Sequence, residues 1–222
     1  MPIVTLGCMR FQEAWADRPL GQVSDACQTN LERILEYAIC QLGIHHIETA
    51  RGYGCSEVQL GEALGKLMTS GKVAREDLIV QTKVNPMAPA QFRKTLETSF
   101  RNLRVDYLDL FSFHGLNLDR HFDMIFRNEG QENLIDIVRE YQAQGKIRHV
   151  GFSTHGQPEL ITRAIETDAF DYANIHYHAF GSYTASGGGT HGGHLQNVRL
   201  MKEKGMGGKS SPLRSVLRII FQ

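Results

Sequence analysis

The sequence is short of the features that mark several common protein classes. Its four cysteines, Cys8, Cys27, Cys40 and Cys55, include no Cys-x-x-Cys pair, so neither a zinc ribbon nor a thioredoxin-type redox site is predicted. Lysine and arginine total 24 and are balanced by 24 acidic residues, which argues against binding to nucleic acid or to an anionic membrane. No apolar run is long enough to span a bilayer, and residues 1–10 lack the pattern of a secretory signal. We therefore expect a cytoplasmic chain with free thiols, whose partners are small molecules or proteins.

The sequence does contain a regular alternation of apolar and amphipathic segments. Short apolar runs, typical of buried parallel strands, predict strands at 3–8, 45–50, 78–84, 107–113, 147–153 and 172–177. Helical periodicity predicts helices at 29–42, 56–67, 89–103, 132–144, from 158 onward and at 194–204. Strict alternation at a spacing of roughly 30 residues predicts a parallel α/β sheet, and so many short strands favour a TIM-type (β/α)8 barrel over an open doubly wound sheet.

Capping signals predict where three of these helices begin. Thr29 with Glu32, and Ser56 with Gln59, each have the spacing of a capping box. Pro158 suits the first turn of a helix, where its missing N–H costs nothing.

The alternation stops before a barrel would close. A closed barrel needs eight strands, whereas about six β/α units are present, and residues 207–212 have turn composition where a seventh strand is expected. We expect residues 1–206 to form an incomplete barrel and residues 207–222 to be an atypical tail. Because an incomplete barrel exposes strand edges and apolar helix faces, self-association through those edges is also expected.

Side chains capable of acid–base chemistry stand where the predicted strands end, and parallel α/β folds keep their chemistry at that edge. Glu48 ends the second strand, and Tyr53 follows it between two glycines that free the backbone. Lys83 and His114 end the third and fourth strands. A neighbouring ammonium group favours a phenolate, so it makes a tyrosine a better proton donor to a carbonyl oxygen.

From the end of the second strand the sequence reads Glu-Thr-Ala at 48–50, Tyr-Gly at 53–54 and Ser-Glu at 56–57. This pattern resembles the aldo-keto reductase family, whose second strand typically ends in Asp-Thr-Ala and is followed by Tyr-Gly and Ser-Glu.

This resemblance implies reduction of an aldehyde or ketone by hydride transfer. It assigns Tyr53 as the general acid, Lys83 as the group that tunes it, Glu48 as the partner that positions Lys83, and His114 as an assisting residue. Glutamate stands at position 48 where the family usually has aspartate. The extra methylene keeps the charge, and we expect it to displace Lys83 by about 1 Å, a shift that costs on the order of a hundredfold in rate.

The resemblance also implies a nicotinamide cofactor, NADP(H) or NAD(H). Residues 150–153 are similar to the family segment whose serine and following residue contact the nicotinamide carboxamide, which assigns Ser153 and Thr154 to the cofactor. Thr154 replaces the usual asparagine. Asn174, on the predicted sixth strand, stands where the family often has a glutamine that contacts the same amide.

One further likeness concerns a branch of the family. The Phe-His-Gly-Leu-Asn sequence at 113–117 resembles members whose longer chains carry a ferredoxin-like iron–sulfur tail. Since this sequence has no Cys-x-x-Cys run, we do not expect it to hold such a cluster.

Two alternatives to a reductase are open. Among ten histidines, His176 and His178 fall on one face of a predicted strand, an arrangement that suits a metal-dependent hydrolase, although the usual His-x-His of the first strand is absent. The missing β/α units favour instead a catalytically inactive barrel fragment or a module that only associates with other chains.

Overall fold

The structure, a computed structural model, describes residues 4–175, 193–206 and 218–219. Strands and helices alternate through these ranges. The strands are β1 (Leu6–Gly7), β2 (His46–Glu48), β3 (Ile79–Val84), β4 (Leu108–His114), β5 (Ile147–Thr154), β6 (Tyr172–Ile175) and β7 (Arg218–Ile219). The helices are α1 (Asp25–Cys40), α2 (Ser56–Thr69), α3 (Pro89–Leu103), α4 (Asp119–Phe126), α5 (Leu134–Ala143), α6 (Pro158–Glu166) and α7 (Gly193–Glu203).

The chain divides into two compact units, of which the first holds residues 2–84 and 93–110. Its strands β1, β2 and β3 pair in parallel, with Gly7 opposite Glu48 and Glu48 opposite Gln81. The core of this unit consists of fully buried aliphatic side chains from α1, α2 and the strands: Leu31, Leu35, Ile47, Leu60, Leu64 and Val80. The parallel pairing of successive strands joined by helices confirms the predicted α/β class.

The second unit holds residues 85–92 and 111–222. Here β5, β6 and β7 pair in parallel, with Ser153 opposite Asn174 and Asn174 opposite Arg218. Aromatic rings fill the core of this unit. Phe92 stacks on Phe113 with centroids 5.6 Å apart, and further phenylalanines extend the cluster at Phe111, Phe126, Phe152 and Phe170.

Both predicted capping boxes are wrong, although the second helix begins at Ser56 as predicted. Helix α1 begins one turn earlier than Thr29, because the Ser24 side chain accepts a hydrogen bond from the Cys27 N–H and caps the helix there. Helix α2 has Cys55 at its N-cap, without a side-chain cap. The Ser56 hydroxyl instead donates to the Cys8 carbonyl at 3.0 Å and bonds the Thr49 hydroxyl at 2.8 Å. The Ser56 hydroxyl therefore makes tertiary hydrogen bonds instead of the helix cap that the local pattern predicted.

Two elements were not predicted. Helix α4 lies inside the connection after β4, where its 8 residues are too few to display a clear period. Strand β7 lies in the tail at Arg218–Ile219 and pairs with β6. The other predicted helices agree with the structure closely, and the 89–103 helix agrees at both ends. The last two residues of the predicted 172–177 strand lie outside the described residues.

None of the helices in the described parts of the chain is both long and apolar enough to cross a membrane.

Helices α2 and α3 approach most closely at Gly61. A Cβ atom at this position would lie 2.0 Å from the Asn102 carbonyl oxygen, which is shorter than any real contact. Because the obstacle is backbone, it cannot swing aside as a side chain would.

We expect Gly61→Ala to destabilise the protein by about 1–3 kcal/mol, because the added methyl forces α2 away from α3. Gly65→Ala is the matched control on the same helix, since nothing lies within 4 Å of its Cβ position. That control should stabilise the protein by about 0.5–1 kcal/mol through helix propensity. Urea unfolding of both variants measures the difference, and equal effects would contradict the close approach.

Candidate active site

Lys83 is the centre of the candidate site in the first unit. It lies on β3 with only 2% of its surface exposed, and Glu48 at the end of β2 is 8% exposed. The Lys83 ammonium group donates to Glu48 Oε1 and, at 2.9 Å, to the Thr49 carbonyl oxygen. A buried ammonium group without such partners would be prohibitively costly, so the carboxylate and the carbonyl hold the charge in place.

Tyr53 lies directly over this ammonium group. The Lys83 Nζ atom is 4.8 Å from the centroid of the Tyr53 ring. The ring is carried on a tight turn, in which the Tyr53 N–H donates to the Ala50 carbonyl and the Tyr53 carbonyl accepts from the Ser56 N–H, each at 3.0 Å. Strand β2 and the turn after it therefore bring the predicted acid, its carboxylate and its lysine together.

The loop before α1 covers the turn that carries Tyr53. Gly54 has a φ of +55°, and a Cβ atom there would lie 2.2 Å from the Ala14 carbonyl oxygen. Trp15, the residue after Ala14 in this loop, contacts the Tyr53 ring edge to face, with centroids 6.3 Å apart and planes at 77°. Only glycine fits at position 54, and the one tryptophan of the chain is thereby placed on the candidate acid.

A second buried carboxylate, Glu57, lies at the start of α2. It accepts hydrogen bonds from the Thr82 hydroxyl at 2.7 Å and from the Asn102 amide at 3.3 Å, and the Arg51 guanidinium is 3.8 Å away. Arg51 also pairs with Asp17 of the loop before α1. Burial nevertheless outweighs these partners and raises the pKa of Glu57 above its ordinary value of 4.5.

The raised pKa of Glu57 predicts a pH dependence of stability. The folded state holds this proton more tightly than the unfolded chain, so the contribution of Glu57 is fully present below pH 4.5 and is lost as pH rises through the raised value. Glu57→Gln, which cannot ionise, should flatten the fall in melting temperature as pH rises above 4.5. The control is Glu129→Gln at an exposed position, which should leave that slope unchanged. An unaltered slope in Glu57→Gln would contradict the assignment.

His114 ends β4 in the second unit and is half-buried. Its backbone carbonyl accepts a hydrogen bond from the Asn85 side chain at 3.1 Å, so the strand end is tied to the residue that follows β3. The next residue, Gly115, has a φ of +75°, which turns the chain sharply after the histidine.

Ser153 and Thr154 end β5 and anchor the loop that follows His114. The Ser153 hydroxyl accepts from the Gly115 N–H at 3.2 Å. The Thr154 hydroxyl donates to the Leu116 carbonyl and accepts from the Gly156 N–H at 2.9 Å. Thr154 is buried and its hydroxyl is engaged by backbone on both sides, so it holds the two loops together.

Asn174 differs from these residues in having no partner for its amide. It is 4% exposed on β6, opposite Ser153, and neither its Nδ2 nor its Oδ1 atom has a hydrogen-bond partner in the described part of the chain. Buried amides are almost always hydrogen-bonded, because an unpaired donor or acceptor keeps its full desolvation cost. A ligand carboxamide, which offers one donor and one acceptor, would satisfy both atoms.

The predicted site residues thus fall into two groups. Glu48, Tyr53 and Lys83 lie together in the first unit, whereas the second unit holds the histidine and the three residues assigned to the cofactor: His114, Ser153, Thr154 and Asn174. Sequence reasoning missed Trp15 and the buried Arg51–Glu57 pair. The rarity of tryptophan was the one available signal for the first, while nothing in the local pattern separates a buried glutamate from an exposed one in the first turn of a helix.

The metal-dependent alternative depends on residues beyond those described. His176 and His178 lie outside the described ranges. Across residues 4–175, 193–206 and 218–219, no group of three or more histidine, cysteine, aspartate or glutamate side chains is placed to hold a metal ion.

Comparison with known sequences gives one consistent result. The Aldo/keto reductase family model matches residues 4–185. Aldo-keto reductase family 1 member C2 of Homo sapiens is 30% identical over 119 residues, which are 51% of this chain and 36% of the human protein. Aldo-keto reductase family 1 member C21 of Mus musculus is 26% identical over 161 residues, which are 67% of this chain and 45% of the mouse protein. The chain therefore spans less than half the length of these relatives.

Solved structures share the fold. A Bombyx mori aldo-keto reductase, AKR2E4, solved in complex with NADP, has a TM-score of 0.60 at 22% identity, over 89% of this chain and 60% of that one. Aldose reductase from Giardia lamblia has a TM-score of 0.60 at 21% identity, over 91% of this chain and 62% of that one. This likeness confirms the predicted fold, an incomplete (β/α)8 barrel with about six of its units present. Because the family model spans well over half of the 222 residues, the chain belongs to the aldo/keto reductase family.

Proposed function

We propose that this chain reduces an aldehyde or ketone with NADP(H) or NAD(H), and that Tyr53 is the general acid. The observation that carries the proposal is the cluster of Glu48, Lys83 and Tyr53 in the first unit. Its ion pair is buried and its ammonium group lies 4.8 Å from the tyrosine ring centroid. An ion pair of this kind is costly to bury, so its position beneath a half-buried tyrosine supports a chemical role.

The chemistry of the three residues is simple. When bound, the nicotinamide cofactor supplies the hydride that reduces the carbonyl carbon. Tyr53 donates its phenolic proton to the carbonyl oxygen, and solvent restores that proton after the alcohol leaves. The Lys83 ammonium group stabilises the phenolate left behind, and Glu48 keeps that ammonium charged and in place. The longer glutamate side chain reaches Lys83 directly, which supports an adapted rather than a broken pair.

The role of His114 rests on the family resemblance of the Phe-His-Gly segment at 113–115. We assign it to orienting the substrate carbonyl. An imidazole can orient a carbonyl group by donating a hydrogen bond from one ring nitrogen to the carbonyl oxygen. The hydrogen bond made by the other ring nitrogen determines which tautomer is present.

Ser153 and Asn174 are assigned to the nicotinamide carboxamide. The unsatisfied amide of Asn174 fits a group that has one donor and one acceptor, and Ser153 lies opposite it in the strand register. Thr154 supports this site by fixing the strand end through the Leu116 carbonyl. The relative from Bombyx mori was solved with NADP, which supports the cofactor class.

We place this activity in residues 1–206 and give residues 207–222 no part in it.

Self-association through exposed strand edges is the further expectation for this chain. Sedimentation velocity at several protein concentrations tests it, and a concentration-independent monomer would contradict it.

Tyr53→Phe tests the general acid. We expect aldehyde-dependent oxidation of NADPH to fall by about 10²–10⁴-fold, since proton donation is lost while the ring stays. NADPH affinity, followed by nicotinamide fluorescence, should be unchanged. Tyr37→Phe is the matched control, because Tyr37 is 59% exposed on α1.

Equal turnover in Tyr53→Phe and the parent chain would overturn the assignment of the acid. A folded chain that binds no NADPH would instead favour the inactive-fragment alternative.

Asn174→Leu tests the cofactor assignment through two measurements, protein stability and NADPH affinity, which should change in opposite directions. Removing an unsatisfied buried amide should raise the stability of the cofactor-free protein by about 1–3 kcal/mol. The same change should weaken NADPH binding, because the carboxamide loses both partners.

Asn197→Leu is the matched control. Asn197 is equally buried, but it donates to the Pro158 carbonyl at 3.1 Å and accepts from the Thr162 hydroxyl at 2.7 Å. Its replacement should lower stability and leave NADPH affinity unchanged in the folded protein. Destabilisation by Asn174→Leu, with unchanged affinity, would contradict the assignment.

A further inference from the structure

A second cavity in the first unit has no part in the chemistry above. Its volume is about 350 Å³, and the loop before α1, helix α2 and the end of α3 form its walls. Four of its lining residues are arginines, namely Arg18, Arg51, Arg101 and Arg104, whereas Asp17 is the one carboxylate among them. So much positive charge on one cavity is unusual in a chain whose net charge is zero.

Two of the four guanidinium groups are already neutralised. Arg51 pairs with Asp17 and with the buried Glu57, and Arg104 pairs with Glu62 at 2.7 Å. These pairs fix the positions of both arginines but leave no surplus charge on them.

The other two guanidinium groups make no direct ion pair within the described residues, although, beside the hydrogen bonds from Ser24, the nearby charge of Arg18 helps to lower the pKa of the Glu13 carboxyl. Arg101 donates to the Thr98 hydroxyl at 2.8 Å. Arg18 makes neither a hydrogen bond nor an ion pair there, although it is partly buried against the cavity. Two guanidinium groups that line one cavity without a direct ion pair among the described residues match the two negative charges of a phosphate monoester, and the planar guanidinium fork suits its oxygens.

The backbone at one end of the cavity is strained. Arg104 follows the last residue of α3 with a φ of +55°, in the left-handed region where glycine is the usual helix-ending residue. Since its guanidinium group pairs with Glu62, Arg104 lines this end of the cavity without adding free charge to it.

The remaining walls are apolar. Pro19, Leu20 and Val58 line the cavity beside the arginines. We propose that this cavity binds a phosphate monoester with an apolar substituent, held by Arg18 and Arg101 at the phosphate and by the apolar wall at the substituent.

The same loop links the cavity to Trp15. Arg18 stands three residues after Trp15, and Asp17 between them pairs with Arg51. Trp15 itself is 59% exposed and contacts Tyr53 edge to face. Since it is the one tryptophan in the chain, its fluorescence reports on the loop that lines the cavity.

The test is a calorimetric titration of the chain with phenyl phosphate, repeated while following Trp15 emission. We expect saturable binding that weakens as salt is added. The double variant Arg18→Gln and Arg101→Gln should lose affinity by about tenfold or more, since two charge-assisted contacts are removed. Arg33→Gln, at an exposed position on α1 outside this cavity, removes one positive charge, as Arg18→Gln alone does, and should leave affinity unchanged. Inorganic phosphate should bind more weakly than phenyl phosphate, and benzoate should not compete.

Several results would overturn the proposal. These are heats with no saturation, equal affinity in the double variant and the parent chain, or equal loss in Arg33→Gln. Should the double variant fail to fold, Arg18→Gln alone carries the test, because Arg18 makes no hydrogen bond or direct ion pair among the described residues and Arg101 is then left unchanged. No cofactor or carbonyl compound is present in the titration, so its outcome is independent of the reductase proposal.

Discussion

The buried ion pair between Lys83 and Glu48 is the constraint on which the first unit depends. It joins the ends of two neighbouring strands, and the Thr49 carbonyl shares the same ammonium group. Breaking such a pair leaves an uncompensated charge in the interior, which costs about 3–5 kcal/mol. The strand register, the turn after β2 and the position of Tyr53 are therefore determined together, since each places one partner of the same ammonium group.

The interior of the first unit also contains other buried polar side chains. Glu57 is fully buried, and its partners Arg51, Thr82 and Asn102 come from three separate segments. A network of this kind is favourable only when its members are all satisfied, so it specifies how those segments pack. The same Arg51 extends the network to Asp17, which ties the loop bearing Trp15 to the strand that carries Glu48.

The second unit is stabilised differently. A cluster of phenylalanine rings lies in its core, and the Ser153 and Thr154 hydroxyls at the end of β5 bond the backbone of the loop after β4. In Asn174, neither polar atom of the buried amide has a hydrogen-bond partner among the described residues. A buried amide without hydrogen-bond partners lowers the stability of the folded protein. Proteins tolerate this cost mainly at functional sites, where a bound ligand can supply the missing hydrogen bonds.

Much of the fold was predictable from the sequence, because the relevant signals are local and periodic. Helix α3 was predicted at both ends, since its apolar residues recur on one face. The start of α1 was not, because both Ser24 and Thr29 carry hydroxyls suited to a cap, and packing decided between them. A helix as short as α4 repeats its pattern only twice, so its period cannot be separated from that of a polar loop.

By itself, the sequence determined the alternation of strands and helices, the class of the fold and the candidate residues at the strand ends. Those properties follow from residue periodicity and from motifs within a few positions of one another. The tertiary structure alone decided that Lys83 is buried against Glu48 beneath Tyr53, that Trp15 lies on that tyrosine, and that the Asn174 amide has no hydrogen-bond partner among the described residues. The tertiary structure also places arginines that are far apart in the sequence around one cavity. Each of these depends on residues far apart in the chain, and burial and charge pairing arise only once packing has excluded water from between them.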